Sequence, residues 1–365
     1  MKFESFLDEL ATLKDEHAEI CEQIKSHGLP VIIYGAAEWA QLITDELTAR
    51  GVDVDGYAVD PEYFKPDKTY LGSPVYNFAE LRAHPEKYVF VLGMVGTSTS
   101  LNAFRFLCDE KIIRYGLLPR SVLSSDLTGD YILNERDKFS ETFDMLEDDL
   151  SRETMLAYLR LEITGNQFWN AKVYRNNEYF NELTAAAIDG ERCFVDCGAY
   201  RGDTVEEFIR WSGGRYKKIF AFEPDAENFN ALEKNFGGRE EISLFHCGVY
   251  DRKTFLAFDS SCNMDSNFNA NGAEKIPVEK IDDIVGEELV SLIKMDIEGS
   301  ELPALHGAAT TIKRDKPFLA ICAYHKAKDL ITLPQFIKNL CNDYKFHLRK
   351  HTASSNVSLI LYATI

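Results

Sequence analysis

Positive charge is in short supply in this 365-residue chain: 40 Lys and Arg stand against 59 Asp and Glu, a formal net charge of -19. Phosphate backbones are held by clustered Lys and Arg, so nucleic acid is not expected as a partner. An anionic membrane surface is disfavoured on the same ground. Long apolar runs are missing too. None approaches the ~18–20 residues that span a bilayer. The opening MKFESFLDEL places acids where a signal peptide needs a basic start and an apolar core. A cytoplasmic protein is expected. No CxxC pair occurs among the cysteines at 21, 108, 193, 197, 247, 262, 322 and 341, which speaks against a structural zinc site. Cys193, Cys197 and Cys322 lie in apolar, strand-like runs and read as small buried side chains in a reducing compartment. Internal repeats of roughly 20–50 residues and low-complexity tracts are also absent.

What remains is the balance of a globular protein, 45% hydrophobic and 27% charged, long enough for two domains. In residues 1–28, Phe3, Phe6, Leu7, Leu10, Leu13 and Ile20 recur at helical spacing and predict an N-terminal amphipathic helix. Residues 29–120 predict a small Rossmann-like α/β domain. It opens with a strand–turn–helix–strand unit, VIIYGAAEWAQLITDELTARGVDVDGYAVD. The strand YVFVLGMV, a helix from about Ser98 and the strand KIIRYGLLP follow. Residues 121–190 predict a helical connector. Within it FSETFDMLEDDLSRETMLAYLRLEI has neither Gly nor Pro and predicts one long helix.

Residues 191–365 predict a second α/β domain. Strands are expected at CFVDC, KKIFAFEPD, EISLFHCGVYD, VSLIKMDIEG and PFLAICAY, with a hairpin-like insertion over 253–281. Two closing strands, YKFHLRKH and NVSLILYAT, predict a mostly parallel sheet with an antiparallel edge.

Both domains open with a strand running into glycine. The first, VIIYGAAEWA, supplies only Gly35, with Ala37 and Ala40 where further glycines of a dinucleotide turn would fall. Asp60 ends the next strand and is a candidate ribose ligand. The second turn, VDCGAYRGDT, is richer. Gly198 and Gly202 permit positive φ and close backbone approach. Glu223, ending FAFEPD, stands close to the ~20-residue spacing expected between a glycine turn and its ribose acid. The middle of the turn is Tyr200, so the pyrophosphate pattern GxGxxG is missing. Acids at Asp196 and Asp203 would repel a diphosphate. They suit S-adenosylmethionine, which carries an ammonium, a sulfonium and no phosphate.

VDCGAYRGDT, AFEPDAENF, IKMDIEGSELPALHGA and AYHKAKDL, in this order over residues 191–365, together resemble the FkbM-type methyltransferase family. The resemblance implies a class I methyltransferase fold, S-adenosylmethionine as cofactor, and O-methylation of a hydroxyl. Acceptors in the family are often sugars of glycans or natural products, and members with a Rossmann-like N-terminal domain are linked to polysaccharide synthesis. Carried over by residue, Asp196, Gly198, Ala199 and Gly202 would line the methionine end, and Tyr200, Asp203 and Thr204 of the same turn are further candidate cofactor-binding residues. Glu223 would bind ribose, and Cys247, Gly248 and Val249 would lie beside adenine. Tyr200 departs from the family, in which many members carry Asn there.

The fourth strand carries the remaining chemistry. Ligands of open α/β sheets sit beyond the carboxyl ends of strands, and period two puts Lys294, Asp296 and Glu298 of IKMDIEG on one face. Asp296, Glu298 and His325, which follows the fifth strand, are the candidate catalytic residues. They would act as base, as clamp on the acceptor or, less favoured because no His–carboxylate ligand spacing stands out, as ligands of a divalent cation. Ser300 is a candidate cap and Glu301 a helix-start acid. The resulting expectation is an O-methyltransferase acting on a sugar, glycan or natural-product intermediate. Two rivals stand beside it. One is an NAD-dependent nucleotide-sugar oxidoreductase using the first domain. The other is a non-catalytic scaffold. A second copy or a partner meeting the N-terminal domain stays open.

Overall fold

The computed structural model describes residues 2–95, 100–259, 267–268 and 274–365. Two compact units emerge, both discontinuous. The first comprises residues 1–140, 149–176 and 349–359, the second 141–148, 177–348 and 360–365. The expected connector, 121–190, is therefore divided between the two, and residues 349–359 join the first unit.

The first unit opens with two helices, Phe3–Leu10 and His17–Ser26, in place of the single helix expected. The break has a local cause. The Asp15 carboxylate accepts from the backbone N–H of His17 at 2.9 Å, and Glu16 N donates to Thr164 O at 3.1 Å, so this turn is bonded away from a continuous helix. The strands are β1 (Val31–Tyr34), β2 (Gly56–Val59), β3 (Thr69–Tyr70), β4 (Ser73–Asn77), β5 (Val89–Leu92) and β6 (Ile113–Tyr115). They lie in the order β3-β4-β2-β1-β5-β6, parallel except for β3 against β4. Every residue of β1 and β5 is buried, because one apolar cluster covers each face; this is why both read as continuous apolar runs. The helix expected from about Ser98 is described over Ser100–Leu107; residues 96–99 lie outside the described ones.

In the second unit β7 (Cys193–Cys197), β8 (Lys218–Phe222) and β9 (Ile242–Phe245) are followed by β10 (Gly248–Val249), β11 (Thr254–Asp259), β12 (Asn267–Phe268) and β13 (Glu274–Glu279). Then come β14 (Val290–Met295), β15 (Phe318–Cys322), β16 (Lys345–Lys350) and β17 (Leu359–Thr364). Seven of these form one sheet, β16-β17-β15-β14-β7-β8-β9. Strands β9, β8, β7, β14 and β15 run parallel and β17 is antiparallel to β15, as the closing strand pair predicts. The expected third strand breaks at His246–Cys247: β9 stays in the large sheet and β10 pairs with β13 in a four-stranded one. The expected hairpin is the antiparallel pair β11 and β13; residues 260–266 and 269–273 lie outside the described ones.

The long helix expected over FSETFDMLEDDLSRETMLAYLRLEI is two helices, Arg136–Met145 and Asp149–Thr164. Between them Leu146 forms a parallel bridge to Phe346, and Glu147 N donates to Phe346 O at 2.9 Å. A strand contact far along the chain thus overrides local helix propensity.

Candidate active site

Four parallel strands, β7, β8, β14 and β15, end at one edge of the large sheet, and the loops leaving them meet there. After β7 the chain turns sharply. Gly198 N and Ala199 N both donate to Phe222 O, at 3.0 and 2.9 Å, tying the turn to the end of β8. Gly198 has φ +78°, and a Cβ there would collide with the Asp296 carbonyl oxygen, so only glycine fits. Tyr200 is held at φ +48°, a region that Asn enters more easily than Tyr. Its N–H donates to Glu223 Oε2 at 2.8 Å. Asp225 N donates to the other Glu223 oxygen at 2.9 Å. Glu223 is 6% exposed. Burial outweighs these two bonds and raises its carboxyl to about 7.

Strand β14 carries Lys294 wholly inside. Its ammonium lies 3.2 Å from Asp196 Oδ1 and donates to Gly198 O at 2.6 Å. Asp196 is buried as well; burial raises its carboxyl, Lys294 pulls it back, and it comes to about 6.

Beyond β14, Asp296 N donates to Cys197 O at 3.1 Å, which fixes this residue beside the glycine turn. Its Oδ2 accepts from the Tyr179 hydroxyl at 3.0 Å and its Oδ1 from the Tyr324 hydroxyl at 3.4 Å. Glu298 has φ +52°, a left-handed conformation before Gly299, and its carboxylate reaches back to His325. His325 Nε2 lies 3.3 Å from Glu298 Oε2 and 3.5 Å from Asp296 Oδ1. Its Nδ1 donates to Glu301 Oε1 at 2.8 Å, and that oxygen also accepts from Ile297 N at 3.1 Å. Burial lowers the imidazole, but Glu301, Asp296 and Glu298 more than reverse this and bring it to about 10, so it is an imidazolium at neutral pH. Burial opposes ionisation of Asp296, yet Lys294, His325 and the Tyr179 hydroxyl hold its carboxyl below the usual range.

The arrangement is a buried cation pinned between three acids, with two of those acids partly open to solvent. Asp296, Glu298 and His325 each bring one donor atom within 4.8 Å of the others, a spacing that a divalent cation can bridge. A metal would first have to displace the Nε2 proton, which the surrounding acids hold firmly.

Residues 196–348 match the methyltransferase FkbM domain along their length. These residues are an FkbM methyltransferase domain. The crystal structure of methyltransferase FkbM from Methylobacillus flagellatus is similar over nearly the whole chain, with 25% identity, 99% of this chain and 98% of that one covered, and a TM-score of 0.66. An rRNA methylase from Streptococcus thermophilus matches at 16% identity over 50% of this chain and 90% of its own, with a TM-score of 0.33. Aeropyrum pernix fibrillarin, crystallised with natively bound S-adenosyl-L-methionine, matches at 13% identity over 49% and 68%, with a TM-score of 0.31. No curated protein matches by sequence.

In this methyltransferase the expected residues separate. Asp296, Glu298 and His325 come together. Of the glycine turn, Asp203 is exposed and Gly198 and Tyr200 are half-buried. Asp196, Ala199, Gly202 and Thr204 are buried behind them. Asp196 spends its charge on Lys294, and a Cβ at Gly202 would collide with the Phe236 ring. Cys247, Gly248 and Val249 are buried too, the last two paired with β13. Ser300 makes no capping bond. Glu301, expected as a helix-start acid, is the fully buried partner of His325. Tyr179, Tyr324 and Lys294 escaped the sequence reading as site residues: their signal is three-dimensional. In the first unit, both oxygens of Asp60 are engaged, by the Tyr34 hydroxyl at 2.6 Å and Asn102 Nδ2 at 3.1 Å. A Cβ at Gly35 would collide with Gly93 O, so this glycine serves a close approach of two chain segments.

Proposed function

We propose that the protein methylates a hydroxyl group of a sugar, glycan or natural-product intermediate, with S-adenosylmethionine as donor. The observation that carries this reading is the juxtaposition of Asp296 with the Gly198 turn. A proton acceptor and a cradle for the donor meet at one sheet edge. The residues suit that cofactor. Glu223 is a buried acid that forms no ion pair among the described residues, and its remaining lone pairs match two ribose hydroxyls. Gly198, Tyr200 and Asp203 offer backbone and negative charge to an ammonium-bearing, phosphate-free ligand. When bound, S-adenosylmethionine supplies an activated methyl group and a neutral sulfide leaving group.

The chain's own residues do the rest. Asp296, fixed through its backbone and through Tyr179, accepts the hydroxyl proton as the acceptor oxygen bonds to carbon; such assistance contributes typically ~10²–10⁴-fold. Glu298, partly exposed, holds a neighbouring acceptor hydroxyl. The imidazolium of His325 keeps both acids ionised and oriented, and Glu301 fixes the ring. Alignment of oxygen and carbon accounts for a further share of the barrier.

Isothermal titration with S-adenosylhomocysteine, followed by methyl transfer from labelled S-adenosylmethionine to a panel of glycosides and oligosaccharides, tests the proposal. Absence of cofactor binding, or labelling only of nitrogen or carbon acceptors, would overturn it.

A further inference from the structure

The segment before β7 carries an unusual backbone. Asn177 has φ +63° and Tyr179 φ +57°. Asn tolerates that region; a bulky aromatic residue does not enter it without compensation. Residues 177–181 have no regular secondary structure and are bonded in place piece by piece. Tyr179 N donates to the Tyr362 hydroxyl at 3.2 Å, and Asn181 Nδ2 donates to the same hydroxyl at 3.1 Å and to Asn177 O at 3.2 Å. What the strain delivers is the Tyr179 side chain. It is 8% exposed, its hydroxyl donates to Asp296 Oδ2 at 3.0 Å and touches Cys322 Sγ at 3.4 Å, and its ring centroid lies 5.4 Å from Lys294 Nζ.

We propose that Tyr179, which lies outside the matched methyltransferase domain, is a positioning residue that holds the Asp296 carboxylate in its working orientation. The inference rests on the assignment of Asp296 as proton acceptor. The other groups facing Asp296 are Lys294 from β14, Glu298 beyond β14, Tyr324 and His325 beyond β15, Cys322 at the end of β15 and Asp196 of β7. Among them Tyr179 makes the shorter hydroxyl bond, and it occupies the oxygen opposite the one nearest His325. Without it, Oδ2 loses its anchor and Asp296 is free to turn. The carboxylate also loses a donor that favours its ionised form, so its acid midpoint rises.

The test needs no acceptor. In protein carrying ¹³Cγ-labelled aspartate, the Asp296 resonance is identified by its loss in Asp296→Asn. In Tyr179→Phe this resonance is expected to move at pH 7. Tyr324→Phe, which removes the longer 3.4 Å contact, is expected to move it less. S-adenosylhomocysteine affinity should stay within twofold in Tyr179→Phe, which confirms the fold and tests cofactor binding separately. An Asp296 resonance unchanged at pH 7 in Tyr179→Phe, or equal shifts in the two phenylalanine variants, would overturn the proposal. With an acceptor in hand, kcat should fall at least tenfold in Tyr179→Phe at unchanged KM.

Discussion

At the residue scale the site is an exercise in charge compensation. Lys294 and His325 are both buried, and each survives because acids surround it. His325 should therefore titrate near 10, and ¹H–¹³C spectra from pH 6 to 11, with His325→Gln identifying the resonance, should find its midpoint well above 8. Glu223 behaves in the opposite way. It is buried beside backbone donors and carries its proton up to about 7. Bound ribose hydroxyls would need the carboxylate, so protonation competes with cofactor. Affinity for S-adenosylhomocysteine is then expected to be flat above pH ~7.5 and to fall as pH drops through 7. Glu223→Ala should remove that pH dependence and weaken binding by ~10–100-fold, the loss of one bond to a charged group at ~1.5–3 kcal/mol. Asp296→Asn should leave the affinity within threefold and lower kcat by ~10²-fold or more, measurable as loss of label transfer at saturating cofactor.

At the element scale, turns and bridges decide more than propensity does. The β7 turn works because its glycine admits the Asp296 carbonyl from the adjacent β14 end, a contact between segments nearly a hundred residues apart. Gly198→Ala is expected to cost at least the ~1–2 kcal/mol of the left-handed conformation plus the displacement of that carbonyl. Thermal unfolding should shift down by several degrees, and cofactor binding should be lost. The sequence pointed to this turn, to the five parallel strands and to the antiparallel close, because glycine placement and apolar runs are local signals. It missed the break at Leu146–Asp148 and the split of β9 from β10. In both, a partner strand distant in sequence claims backbone groups that the local pattern leaves for a helix or a longer strand.

At the scale of the whole molecule, neither unit is a single stretch of chain. Residues 349–359 complete the first: Gln167 Nε2 donates to Ser354 O at 2.6 Å, and Ala353 N donates to the Ser100 hydroxyl at 2.8 Å. A fragment of residues 1–190 lacks these partners and leaves buried polar groups unpaired. It should express as aggregate, whereas the full chain gives a cooperative near-UV circular dichroism transition. A fragment starting at 191 should fail as a methyltransferase too, since it loses Tyr179 and Asn181. Among the described residues no helix is long and apolar enough to cross a membrane.

By itself the sequence determined the class of fold, and it singled out the glycine turn after β7, Glu223 and the trio Asp296, Glu298 and His325. These lie at or just beyond strand ends, where glycine placement and the apolar run before them are read directly from neighbouring residues. Only the tertiary structure decided that Asp196 serves Lys294 and that Glu301 orients His325. It also decided that Tyr179 reaches Asp296 across 117 positions of chain. Those roles depend on which buried charge finds which partner, and burial and pairing are properties of the folded neighbourhood that no local stretch of sequence contains.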